Sequence, residues 1–298
     1  MTSNVASGSM GRGMLCAGLV FACFSTGDAV VKWLTADFSV FQLTCVASIF
    51  SMIPVIWLVG RTGGVRSIRP RHPGWVALRS LLLVGESLCC YVAFSLLPLT
   101  EVYPLIFATP ILVTVLSVPL LGERVGWRRS AAVVIGFIGV LIVIRPGFRT
   151  LDVGHIAALG STLMFSMGMI ILRRIGDENY GALLVTLLGA KIVIAGVLTF
   201  FFGGFAFMNW PDLGLTAVLG LLAGVAHIFL VMALRYAPAA VVSPMQYSQM
   251  LWGIFYGALL FGDKPDAVTL LGAAVIILSG LIILWREKVN EAPAGTKA

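Results

Sequence analysis

Ser243, Gln246, Met250 and Gly253 recur at i, i+3, i+7 and i+10 in the stretch VVSPMQYSQMLWG (241–253), with Tyr247 beside them. At helical periodicity these positions share one face. Gln246, Gln249, the serines and Tyr247 supply hydrogen-bonding groups inside an otherwise apolar run, while Met250 and Trp252 supply polarizable bulk. Such a face suits a zwitterion with a variable side chain. Amides meet ammonium or carboxylate, and rings and methionine accommodate bulk. Packing, or an aromatic belt at a membrane interface, is the competing account.

Ionisable groups stand in equally apolar surroundings. Glu86 lies in LLVGESLCCYVAF, five residues before Tyr91, and His227 lies in AGVAHIFLV. An unpaired carboxylate in hydrocarbon is costly, so Glu86 is expected to be protonated, paired or hydrated. Together the two groups could bind a substrate amine or relay a proton; for His227 the alternative is a neutral imidazole satisfied by one neighbour. Asp28 and Lys32 are four apart, acid before base, the favourable order for a helical ion pair near the outer end of the first span. Substrate contact or gating is their alternative role. Lys191, in LLGAKIVIAG, is expected to snorkel or to pair with a carboxylate.

The elements that must position these groups are membrane helices. Of 298 residues 59% are hydrophobic and 11% charged, whereas soluble domains carry about 25% charged residues. Apolar blocks recur at 11–34, 39–60, 75–97, 101–120, 129–145, 153–174, 182–206, 213–236, 239–261 and 267–285, each near the length that crosses about 30 Å of hydrocarbon. Nothing marks the first as a removable signal, and no soluble domain is left over. The expected fold is an all-α polytopic membrane protein of ten transmembrane helices. Sorted alternately by loop and chain end, these Lys and Arg divide fourteen to three, the minority being Arg145, Arg149 and Lys264. Basic loops stay cytoplasmic, so both termini are expected inside, and the net charge of +7 reflects topology rather than nucleic-acid binding.

The five cysteines lack disulfide or metal spacing and read as small packing residues. No hydrolase, zinc-protease or P-loop motif is present, so no enzyme, cofactor or metal site is expected. Proline permits bending by removing a backbone bond. The fourth and ninth spans, with Pro104 and Pro244, are therefore the expected hinges.

The chain repeats itself. At an offset of 140, Ala93 meets Ala233, Pro98 meets Pro238, Pro104 meets Pro244, Gly122 meets Gly262 and Glu123 meets Asp263. The same offset pairs Tyr247 with Phe107 and Ser243 with Tyr103, placing an aromatic about one turn inside each span-opening proline. Each copy holds five spans, an odd number, so the second enters the membrane in the opposite sense. Inverted repeats are the architecture of many secondary transporters. The expected organisation is repeat 1 at 11–145, repeat 2 at 152–286 and a disordered cytoplasmic tail at 287–298.

PLTEVYPLIFATPILVTVLSVPLLGER and APAAVVSPMQYSQMLWGIFYGALLFGD, each a Pro-opened helix ending in Leu-x-Gly-acidic, resemble the drug/metabolite transporter superfamily, specifically its EamA-type members. The resemblance covers nearly the whole chain. It implies a multi-pass transporter of the cytoplasmic (inner) membrane for small molecules; characterised members export amino acids, aromatic ones among them, or import metabolites such as S-adenosylmethionine. Where many members carry a basic residue midway along the second span, FQLTCVASIFS has none. The combined expectation is export by alternating access, secondary active or facilitative, around Glu86, Tyr91, Tyr103, Phe107, His227, Gln246, Tyr247, Gln249 and Trp252. Proton coupling would run through Glu86 or His227.

Overall fold

In hydrocarbon every backbone N–H and C=O must be satisfied within the segment, so apolar runs of this length become helices. The computed structural model describes residues 7–62, 64–123, 126–145, 152–236 and 242–291. They form α1 (Ser7–Leu34), α2 (Val40–Thr62), α3 (Pro73–Leu96), α4 (Leu99–Ile106), α5 (Thr109–Leu121), α6 (Trp127–Ile144), α7 (Val153–Ile175), α8 (Tyr180–Leu198), α9 (Trp210–Tyr236), α10 (Gln249–Leu260) and α11 (Ala267–Glu291). A 3-10 turn at Gly64–Ile68 precedes α3, a π-turn at Thr199–Gly203 ends α8, and a 3-10 segment at Ser243–Ser248 leads into α10.

Seven stretches among the described residues are long and apolar enough to cross a membrane, and 130–144 and 267–282 are shorter apolar helices. Three expectations need correction. The seventh span does not continue as helix to 206, because the chain leaves the π-turn at Gly204, whose φ is 64°. The ninth is not one α-helix from 239: residues 237–241 lie outside the described set, and 3-10 geometry precedes Gln249. The last helix runs to Glu291, past the point where the tail was expected to begin; 292–298 lie outside the described residues.

The fourth span is broken between α4 and α5, at Phe107–Ala108, and the cause is local. Pro110 has no N–H to offer the Ile106 carbonyl four residues back. The Thr109 hydroxyl donates to that carbonyl instead, at 2.6 Å, and Thr162 Oγ1 of α7 donates to the Leu105 carbonyl at 3.1 Å. Pro104, the expected hinge, lies inside α4, so the break falls three residues after it. The two halves keep their register here. α10 begins at Gln249, 140 residues after Thr109 opens α5, and both helices lead into glycines at φ 70° (Gly122) and 67° (Gly262), a left-handed conformation that favours glycine.

Packing crosses between the halves. α1 runs along α9 and α3 along α7, while α2 pairs with α8 and α6 with α11. In the last pair Ser279 Oγ donates to the Ala132 carbonyl at 2.6 Å. The main core joins Phe94, Tyr103, Leu105, Phe107, Met250 and Ile276, where α3, α4, α10 and α11 meet around the break.

Polar ties close both ends of the bundle. At the end holding the α1 C-terminus, Gln42 brackets Ala206, donating to its carbonyl at 2.7 Å and accepting from its N–H at 3.0 Å. Nearby, Arg145 pairs with Asp266 at 2.5 Å, and His155 Nε2 lies 3.6 Å from Glu101. At the opposite end Glu178 accepts from the backbone N–H of Arg71 and His72 at 2.8 and 2.9 Å, and Arg173 lies 3.7 Å from Glu123.

Candidate functional site

The Tyr103 hydroxyl donates to Asp28 Oδ2 at 2.9 Å, joining α4 to α1. The Tyr103 ring stacks on Phe107 with centroids 6.0 Å apart and planes 8° apart, and meets Phe94 edge to face. Phe107 in turn meets Tyr247 edge to face at 5.3 Å. A side chain could not replace hydrogen at Gly253: its Cβ would lie 2.5 Å from Cδ2 and Cε2 of Tyr103. Gly253 is thus what lets this ring lie across α10. The Tyr247 hydroxyl is buried against Gly280 with no hydrogen-bond partner among the described residues.

Tyr103 and Phe107 are 1% and 0% exposed, so in this conformation they are packed core rather than the wall of an open cavity. Aromatic rings that face one another this way form a seam, and a planar ligand enters it only if the rings separate.

Beside the seam lies a charged cluster. Asp28 (α1), Glu86 (α3) and Lys191 (α8) converge: Glu86 is within electrostatic range of both Lys191 and Asp28. Ser87 Oγ donates to Glu86 Oε2 at 2.9 Å, and Tyr91 shares the field of Asp28 and Glu86. Glu86 is thus the carboxylate in whose field Lys191 lies. His227 lies on the other side, in range of Lys191 and Arg79, with Nδ1 2.6 Å from the Ala223 carbonyl and its ring edge-on to Phe24 at 5.8 Å. The Ala223 contact satisfies one ring nitrogen locally.

Asp28 and Lys32 do not pair with each other. Lys32 Nζ donates to the carbonyls of Leu97 at 2.8 Å and Phe94 at 3.4 Å, closing the C-terminal end of α3, and sits 5.2 Å above the Phe261 ring. The open carbonyls at the α3 end hold the Lys32 ammonium, and Asp28 is already engaged by Tyr103. A cleft of about 420 Å³ lies at this end between Lys32, Trp33, Ser95 and Phe261. Asp28 is one helical turn deeper.

Gln246 and Gln249 are half-buried on the turn into α10, and Met250 and Gly253 are buried. Trp252 stacks on Tyr256 at 6.0 Å, and the Tyr256 hydroxyl is 2.7 Å from Thr26 Oγ1, so Trp252 belongs to the α1–α10 contact rather than to the charged cluster. Pro244 falls in the first turn of the 3-10 segment. Among the described residues no group of three His, Cys, Asp or Glu is arranged to hold a metal. Sequence reasoning missed two participants. The Tyr103–Asp28 bond links residues 75 apart and leaves no sequence signal. Arg79, one and a half turns into α3, was legible as a lone cation in an apolar helix.

Two stretches, residues 11–145 and 152–285, match the model of the EamA-like transporter family. The chain is 28% identical to a riboflavin transporter of Rhizobium johnstonii, over 93% of this chain and 91% of that one. It is 25% identical to an S-adenosylmethionine uptake transporter of Rickettsia prowazekii, over 89% of each. It is 22% identical to a pseudopaline exporter of Pseudomonas aeruginosa, over 93% of this chain and 96% of that one. A solved crystal structure overlays with a TM-score of 0.66 at 16% identity, covering 94% of this chain and 99% of the other, a likeness of fold alone.

Proposed function

The chain belongs to the EamA-like transporter family, within the drug/metabolite transporter superfamily, and from that premise we propose that it exports amino acids, aromatic ones included, and related small metabolites across the cytoplasmic membrane. The observation that carries the reading is the Tyr103–Phe107–Tyr247 seam joined to Asp28 by the Tyr103 hydroxyl. A substrate ammonium meets Asp28 and Glu86 in place of the Tyr103 and Ser87 hydroxyls. Its ring enters the seam as Phe107 and Tyr247 part, so apolar contact is exchanged rather than lost.

Alternating access follows from two five-span copies inserted in opposite senses, both termini cytoplasmic. The 140-residue register of the α5 and α10 starts, and the crossed packing of α1 on α9 and α3 on α7, support it. One packed arrangement can then adopt two near-equal states, each open at one end. The Gln42–Ala206 and Glu178 ties would release in turn. Glu86, exchanging Lys191 for a proton, is the group that would couple transport to a pH gradient.

Uptake of a charged metabolite is the second reading, favoured by the relative named for S-adenosylmethionine uptake. Proteoliposomes preloaded with phenylalanine, then given labelled phenylalanine or S-adenosylmethionine outside, separate the two. Counterflow of phenylalanine supports the first reading; counterflow of S-adenosylmethionine alone replaces it with the second. A scaffold without transport would show neither, and would tolerate Glu86→Gln with Gln246→Ala unchanged.

A further inference from the structure

Three exposed indoles at one end of the bundle each carry a guanidinium. Arg61 lies over the Trp57 ring at 5.1 Å, Arg174 over Trp75 at 4.9 Å and Arg128 over Trp127 at 5.5 Å. The first pair stands in the last two turns of α2, four residues apart on one face. The second joins the α3 N-terminus to the α7 C-terminus, and the third opens α6. All three lie at the end where Glu178 accepts from the backbone of Arg71 and His72. The indoles are 53%, 38% and 75% exposed, so they face outward instead of filling the core.

The opposite end is built differently. Between α8 and α9 the chain exposes Phe200, Phe201, Phe202, Phe205, Phe207 and Trp210. Among the described residues no Lys or Arg lies over any of these rings. The cation–ring contact at that end, Lys32 over Phe261, is half-buried, and its ammonium is already donated to the α3 carbonyls.

Stacking leaves the three guanidinium groups with capacity to spare. A guanidinium lies face-on to a ring, while its five N–H donors point outward in the plane of the fork. Arg61, Arg128 and Arg174 have no hydrogen bond or ion pair among the described residues. Neighbouring arginines are engaged within the protein: Arg173 lies 3.7 Å from Glu123, and Arg71 donates to the Asp177 carbonyl at 3.0 Å. Exposed indoles settle at the boundary between hydrocarbon and headgroups. A cation held on such a ring is thereby fixed at phosphate level, where two oxygens of one phosphate match its fork.

We propose that Trp57–Arg61, Trp75–Arg174 and Trp127–Arg128 form a collar of binding sites for anionic phospholipid headgroups in the leaflet at the α3 N-terminal end. Each guanidinium takes the phosphate through its N–H edge, and the indole packs below it against the glycerol and upper acyl chain. A zwitterionic choline lipid fits less well, because its ammonium meets the same positive field. The collar pins helices of both halves to one leaflet, while the phenylalanine-lined end has no such attachment. It holds whatever the transported molecule is.

The test counts lipids retained by the full-length protein in native mass spectrometry, from micelles doped equally with phosphatidylglycerol and phosphatidylcholine of the same chains. The wild type should retain phosphatidylglycerol over phosphatidylcholine by at least about fivefold. Arg61→Gln with Arg174→Gln should reduce that ratio severalfold. Arg66→Gln with Arg69→Gln removes the same charge from exposed positions at the same end, over no ring among the described residues, and should leave the ratio within about twofold of wild type. No preference in the wild type overturns the collar, as does an equal loss in both double variants, which would make it a matter of net charge. If the Arg61 and Arg174 variant does not elute as a single species, Trp57→Leu with Trp127→Leu carries the test. These keep the cations and remove the rings, so an undiminished ratio there overturns the paired sites. Displacement of phosphatidylglycerol by excess glycerol 3-phosphate would assign the guanidinium groups to soluble phosphates and overturn the lipid collar.

Discussion

Phe107 and Tyr247, 140 residues apart, meet edge to face with ring centroids 5.3 Å apart. Each stands two residues before the helix that opens at Thr109 or Gln249. Two positions in register at an offset of 140 residues therefore touch each other. Motion of one half against the other must either slide or open this pair.

The partners differ in one atom that matters. The Tyr247 hydroxyl is buried and unpartnered among the described residues. Leaving a buried hydroxyl unsatisfied costs about 1–3 kcal/mol. Tyr247→Phe should accordingly leave the ligand-free protein as stable or slightly more stable in a thermal melt. Phe107→Ala, at a fully buried position, should destabilise by about 3–5 kcal/mol.

Tyr103→Phe keeps the stack on Phe107 and removes the donor to Asp28. Hydrogen bonds to charged groups are worth about 1.5–3 kcal/mol. The expected result is a lower melting temperature together with a roughly tenfold or larger change in counterflow KM. A large fall in melting temperature with unaltered KM would make the bond purely structural.

Gly253→Ala places a Cβ 2.5 Å from two Tyr103 ring carbons, whereas the nearest atom to a Cβ at Gly257 is 3.5 Å away. The first substitution should cost about 1–3 kcal/mol and impair transport, because the ring must move. The second, one turn along the same helix, should stay within about 0.5 kcal/mol of wild type. Melting curves and counterflow of the two variants side by side check this.

Span positions were legible in the sequence because hydrocarbon leaves an apolar run no alternative to helix. The break in the fourth span was not, although Pro104 and Pro110 both lie in it. Proline inside a membrane helix is tolerated when neighbours satisfy the freed carbonyls, and here those neighbours are Thr109 and Thr162, one of them on another helix. The same limit explains Asp28 and Lys32. Their spacing and order favour a pair, yet Tyr103 and the α3 carbonyls, distant in sequence, offer each a better partner. Glu86 and Lys191 could be picked out as costly groups; that they share one field depends on how α3 and α8 pack.

At the α3 N-terminal end, Glu178 sits in the loop between α7 and α8. Desolvation pushes its carboxyl up, but hydrogen bonds donated by the backbone N–H of Arg71, Asn179 and His72 outweigh that and hold it at about 2, below its ordinary 4.5. The folded value lies under the unfolded one. This tie's contribution is thus complete above about pH 4.5 and is lost as pH falls toward about 2. Glu178→Gln should lower the melting temperature by a constant amount between pH 8 and 5, and the difference should shrink from pH 4.5 downward. A difference that grows on acidification would mean that the tie does not depend on the ionised carboxylate.

Whether the charged cluster is reached from both faces in turn is best read at Cys90, which shares the field of Asp28, Glu86 and Lys191. A variant retaining Cys90 as its sole cysteine would be exposed to a small membrane-impermeant thiol reagent in right-side-out and inside-out vesicles. The account predicts modification from either face, slowed from both by the transported substrate. Modification from one face only, whatever the substrate concentration, would contradict it.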